Sequence, residues 1–356
     1  MRAIFASERI SQRELADKLR LSWPTVLQNV KELQAQGLVE EVGEFESTGG
    51  RKARAFASIR DARLAVGLSV TQNHIGIVLV DLSGELVRYV REKKVFSYQD
   101  SYFESLKPLV TDFVAKAGYP DEKILGAGIS LPGIVEESGQ TLAHSHVLGL
   151  HNVPTDTISR HIPYPCQFIN DANAAGLAEL WGKPQRRNTV YLSLSNSVGG
   201  AIFHGRAIYM GDNRRAGEFG HNTLVPDGKP CYCGKQGCVD AYCSSNVLSS
   251  HTDGNIALFF EGLSNGDAAL RSIWDEYLGW LAIAVNNLRM SFDCDVIIGG
   301  YVGGYFDAFS GELRARLEAR NTFEPDASYL KGCRYKLEAA AMGAALGQIE
   351  AFIQQL

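Results

Sequence analysis

Four side chains within 18 positions carry the sharpest chemical signal in the chain: His221, Cys231, Cys233 and Cys238. Three soft thiolates and an imidazole suit tetrahedral zinc, and four protein ligands close the shell, so a Zn2+ held there is structural. Cys231 and Cys233 are one residue apart, which demands a tight loop, and Gly234 and Gly237 permit it. The plainer reading is a set of free thiols. Seven cysteines is an odd count, so a disulfide framework is not expected, and Cys166, Cys243, Cys294 and Cys333 read as ordinary thiols. No run of about 18 apolar residues occurs. MRAIFASERI has neither the apolar core nor the cleavage site of a secretory signal. A cytoplasmic chain with no membrane partner is expected.

A second group of residues could read DNA. The net charge of −5 divides unevenly: residues 1–60 carry ten Lys or Arg and eight Asp or Glu, summing to +2, and the remainder sums to −7. In the basic head, Ser11 with Glu14 makes a capping box that opens a helix ending near Leu19. Ser22 or Trp23 caps a second helix with Pro24 in its first turn, and Val26, Leu27, Val30 and Leu33 form its buried stripe. Thr25, Gln28 and Asn29 fall on the opposite face near the helix start, where a helix-turn-helix meets base edges in the major groove. Gln and Asn pair with adenine, and Thr touches a thymine methyl. Two strands follow, joined through Ser47-Thr48-Gly49-Gly50-Arg51-Lys52, in a winged-helix outline. Gly50 permits close backbone approach, and Arg51, Lys52 and Arg54 can reach phosphate. A head that binds protein instead would share this outline.

What must position the remaining residues is an α/β body. Three strands run in sequence from Leu64, a helix spans about Ser101 to Lys116, and a strand from Ile124 to Ser130 exits at Pro132-Gly133. The strand Cys166 to Ile169 leads directly into a helix at Asn170-Asp171-Ala172-Asn173. A second strand set begins at Thr189, and an Ala-rich helix spans 339–352. Strands followed by helices, twice over, predict two α/β lobes with a cleft between them.

Gly217-Glu218-Phe219-Gly220-His221 followed by Cys231-x-Cys233-Gly234-x-x-Gly237-Cys238 resembles the signature of ROK proteins, a family of repressors, open reading frames and sugar kinases. The similarity extends to Asn170-Asp171-Ala172-Asn173, the Pro132-Gly133 exit and the wing's Gly-Gly-Arg-Lys. It implies a two-lobed actin-like, hexokinase-like (ribonuclease H-like) body behind the winged helix-turn-helix, the latter a mark of the family's regulators. The expected division is a winged helix-turn-helix over 1–60, a small lobe over 61–170 completed by 339–356, and a large lobe with the metal loop over 171–338.

The resemblance also implies that sugar hydroxyls meet Asn170, Asp171, Glu218 and His221, beside Gly133. His221 would then offer one ring nitrogen to zinc and the other to the sugar. Where the family places a glutamate two residues after the last zinc cysteine, this chain has Asp240, one methylene shorter. Where it commonly places an asparagine, this chain reads His144-Ser145-His146, with His146 at the position itself.

Asp171 corresponds to the general base of the family's kinases, but the phosphate loops differ. Gly67-Leu68-Ser69-Val70-Thr71 lacks the acid and paired glycines of the kinase turn, and Leu194 to Gly200 keeps only part of the second glycine set. The expected protein is therefore a sugar-responsive transcriptional regulator, a repressor, with Asp171 vestigial. Its partners would be a double-stranded operator with an inverted repeat, a small-molecule sugar effector, and a second copy in a homodimer or homotetramer. The alternative is an ATP-dependent sugar kinase with an appended DNA-binding head.

Overall fold

The head is built from local signals that act as the sequence predicts. In this computed structural model, which describes residues 1–5, 7–46, 52–183 and 187–356, α1 (Arg2–Phe5) and β1 (Ile10–Ser11) precede α2 (Gln12–Leu19). Ser11 Oγ accepts from Glu14 N at 3.2 Å while Glu14 accepts from Ser11 N at 2.8 Å, so both donors at the start of α2 are satisfied. Ser22 caps α3 (Trp23–Ala35), whose Val26, Val30 and Leu33 are buried; Leu27, expected in the same stripe, is only half-buried. Gly37, at φ +67, turns the chain into β2 (Val39–Glu44), which pairs antiparallel with β3 (Arg54–Ser58).

The body repeats one topology. Strands β4 (Leu64–Val70), β5 (His74–Asp81) and β6 (Leu86–Lys93) form a meander. Helices α4 (Asp100–Glu104) and α5 (Leu106–Ala115) then lead to β7 (Ile124–Leu131). The single helix expected over 101–116 is broken in two, because Pro108 lacks the N–H that would bond to Glu104 and its ring crowds that carbonyl. A small sheet of β8 (Ile134–Val135), β9 (Thr141–Ser145) and β10 (Leu150–Pro154) flanks the cleft. After α6 (Asp156–Ser159) come β11 (Cys166–Asn170) and α7 (Asp171–Leu180).

The second lobe starts with β12 (Thr189–Leu194), β13 (Val198–His204) and β14 (Ala207–Ile208). Helices α8 (Asp240–Cys243), α9 (Ser245–Ser249), α10 (Ile256–Ser264) and α11 (Ala268–Phe292) follow. The lobe ends with β15 (Asp295–Gly299), α12 (Gly300–Gly303), α13 (Phe306–Glu318) and β16 (Leu330–Gly332), and the chain then enters α14 (Ala339–Gln355). The two five-stranded sheets, β6-β5-β4-β7-β11 and β14-β13-β12-β15-β16, have the same order of succession, with antiparallel pairs first and parallel pairs last.

Two helices tie the lobes together. The helix α14 lies on β4, β5 and β7 of the first sheet although it follows the second, while α7 packs on α14 and on β12 and β13. Their approach depends on glycine: a Cβ at Gly343 of α14 would collide with the Ala174 carbonyl of α7. A Cβ at Gly67 of β4 would strike the Ala341 carbonyl, so Gly67 is spent on helix packing. One continuous core joins Ile4, Leu15, Val26 and Phe56 of the head to Val80, Leu346 and Ile349 of the body. Arg2 additionally pairs with Glu350 near the end of α14.

Candidate functional site

Asn170 ends β11 and caps α7, where its Oδ1 accepts from Asn173 N at 3.0 Å and its Nδ2 donates to Gly133 O at 3.0 Å. One amide thus ties the exit of β7 to the first turn of α7. Gly133 has φ +139, and an added Cβ would meet the His144 carbonyl, so only glycine holds this crossing. Asp171 opens α7, its Oδ1 accepting from Ala172 N at 2.9 Å, and Glu218 faces the same cleft from the turn before Phe219. Burial raises the Asp171 carboxyl despite that bond. Lost hydration raises Glu218 as well, and the nearby Asp171 charge adds to it.

A cleft of about 830 Å³ brings together Gly133, His146, Asn170, Asp171, Glu218 and His221, six of the seven residues expected around a sugar. Asp240 is the exception. It is buried, it does not line this cleft, and its Oδ2 accepts from Val198 N at 2.6 Å. The shorter side chain is held by the backbone of β13, and burial pushes its carboxyl up to about 6. At the other wall the His144-Ser145-His146 loop forms an imidazole cluster. His144 Nδ1 lies 2.8 Å from His151 Nε2, and its ring centroid is 4.0 Å from that of His146.

The four metal-ligand candidates converge. Their ligand atoms all lie within 4.8 Å of one another, with His221 Nδ1 3.8 Å from Cys231 Sγ and Cys233 Sγ 3.8 Å from Cys238 Sγ. Tetrahedral zinc with bonds of about 2.3 Å to sulfur separates its sulfurs by roughly 3.8 Å, so the donor set fits that ion in spacing and in type. His221 also borders the cleft, which joins the cluster to the cleft through one ring. Tyr232, between Cys231 and Cys233, borders the cleft too, and so do Arg214 and Arg215. The sequence reading missed all three. For Tyr232 the available signal was its place between two loop-fixing ligands.

On the head, Thr25, Gln28 and Asn29 are exposed on α3. Thr25 Oγ1 lies 2.8 Å from the capping Ser22 Oγ, and Gln28 Nε2 donates to Glu32 at 2.9 Å, so both have local partners to exchange for bases. Lys52 is 4.0 Å from Glu44 and Arg54 is 3.1 Å from Glu41, which tempers the positive charge of the wing. Gly50 and Arg51 lie outside the described residues. Trp23, at the head of α3, is 51% exposed and was read only as a cap.

Residues 65–348 match the ROK family. The chain belongs to the ROK family. Its residues 1–40 also match a winged helix-turn-helix DNA-binding family. The xylose repressor of Bacillus subtilis (strain 168) is 24% identical to this ROK chain over 306 residues, 84% of this chain and 79% of that protein. A ROK family transcriptional regulator homologous to the E. coli MLC protein superposes with a TM-score of 0.74 at 19% identity, covering 96% of this chain and 92% of that one. The ROK family glucokinase of Streptomyces griseus, solved with glucose and AMPPNP, gives 0.66 at 24% identity, covering 79% of this chain and 98% of that one. At these identities the two structures establish the fold alone.

Proposed function

We propose that this ROK protein is a sugar-responsive, DNA-binding transcriptional repressor whose effector binds between the lobes. The observation that carries the reading is a continuous physical connection. Exposed Thr25, Gln28 and Asn29 stand on a helix whose core runs into the α7–α14 pair, and α7 begins at Asn170 and Asp171 in the cleft. Sugar hydroxyls would donate to Asp171 and Glu218 and receive from Asn170 and His221. Binding closes the lobes about α7 and α14, and the end of α14 moves the head through Ile349 and the Arg2–Glu350 pair. In a homodimer, or a homotetramer of such pairs, two α3 helices would occupy half-sites of an inverted repeat about one helical turn apart.

His221, Cys231, Cys233 and Cys238 would hold zinc as a structural ion, and what it supplies is a fixed loop beside the sugar. The chain is read as cytoplasmic; among the described residues no helix is long and apolar enough to cross a membrane. The Bacillus relative's name makes xylose the first sugar to try. The test is a thermal-shift titration across pentoses, hexoses and N-acetylated hexoses. The effector should raise the midpoint with concentration, stabilising the fold by about 2.7 kcal/mol at a hundred times its Kd. No shift with any sugar would sink the proposal.

One observation favours a kinase: Asp171 opens into the cleft with its carboxyl raised, as a general base requires. What weighs against it is the β4 turn, where Ser69 and Val70 stand in place of paired glycines and Thr71 Oγ1 donates to His74 O at 3.0 Å. An ADP-release assay should show no turnover. Turnover abolished by Asp171→Asn would establish the enzyme instead.

A further inference from the structure

Among the described residues, Tyr232 is the one phenylalanine, tyrosine or tryptophan that lines the cleft of about 830 Å³ holding Asn170, Asp171, Glu218 and His221. Its ring makes T-shaped pairs with His221, at 5.5 Å and 73°, and with His146, at 6.0 Å and 68°. Even so the residue remains 50% exposed. Cys231 and Cys233 flank it, so the loop that fixes two converging thiols also fixes the base of this ring. Ile134, Val147 and Val198 also line the cleft, and a half-exposed ring in such a concave, mixed wall offers a ligand an apolar face to lie on.

The rest of the wall defines what that ligand lacks. Asn170, Asp171, Glu218 and His221 offer only polar partners, which suits the hydroxyl edge of a sugar. A pyranose also has a face of C–H groups that water solvates poorly. A flat, polarisable ring with an electron-rich face satisfies it while the hydroxyls stay free for the carboxylates. Building on the effector reading above, we propose that Tyr232 is the stacking platform for the effector sugar, and that it selects the epimer by face. A hydroxyl standing axial on the stacked face would lift the sugar from the ring, so epimers that differ there are discriminated without any change in the polar partners.

The test is calorimetric titration of full-length protein with the aldose that the thermal-shift panel identifies, with metal content measured alongside. Tyr232→Phe keeps the ring and should bind within about threefold of the wild type. Tyr232→Ala should lose about tenfold, as expected for one aromatic face. Tyr232→Leu, which keeps the bulk and hence the loop, should lose most of the same factor with its metal content unchanged. Wild-type affinity in both Ala and Leu variants would overturn the platform, and so would a loss in Phe equal to that in Ala, which assigns the role to the hydroxyl. Wild-type protein that binds no aldose is a different failure, that of the effector reading itself.

Discussion

Single residues in the cleft and directly behind it take their chemistry from burial more than from charge partners. Asp240 shows it most simply: it is buried, accepts one short bond from Val198 N, and its carboxyl is pushed up to about 6. Between its unfolded value near 4 and that folded value, the native state holds the extra proton, so rising pH removes stability across this window. Denaturant unfolding at pH 5 and pH 7.5 should show the wild type losing roughly 1 kcal/mol relative to Asp240→Asn, whose amide oxygen still accepts from Val198. Equal pH dependence in the two proteins contradicts the buried carboxylate. The same residue marks a limit of sequence reading. Its spacing from Cys238 resembled a sugar contact, and nothing in the spacing says that a side chain one methylene shorter is taken up by a backbone N–H.

Among the elements, those specified by local rules were legible and those specified by packing were not. The capping box at Ser11, the cap at Ser22 and the amide cap at Asn170 each fix a helix start with two or three residues, and all were readable. The 25-residue α11 was not foreseen, although its buried Leu270, Trp274, Tyr277, Leu281, Val285 and Leu288 recur at helical spacing. Gly67 was read only as the start of a segment that lacks the acid and paired glycines of a kinase turn, and its use in the approach of α14 was not foreseen. The α14 glycines allow a contrast within one helix. Gly343→Val should cost about 3 kcal/mol or more, since its side chain meets the α7 backbone. Gly347→Ala, where an added Cβ meets nothing, should gain about 0.5–1 kcal/mol. Chemical denaturation measures both.

For the whole molecule, a weakly basic reader with a net charge of +2 is packed on an acidic sensor, and in the wing Lys52 and Arg54 each stand beside a glutamate, Glu44 and Glu41. Phosphate attraction alone then gives little affinity, and specific contacts must supply the rest. Gln28→Ala should lower affinity for the preferred duplex while sparing random DNA, and Lys52→Ala should weaken both and flatten the salt slope by about one. Anisotropy titrations over a range of salt separate the two, and equal loss on every sequence for Gln28→Ala contradicts its reading role. The central claim is that sugar and DNA compete through the α7–α14 pair. Its most direct test is the affinity of the full-length protein for a duplex it selects from a random pool, with and without saturating effector. Linkage through a continuous core predicts a fall of about tenfold or more, with sugar affinity reduced by the same factor when DNA is saturating. Identical DNA affinity in both conditions would contradict it.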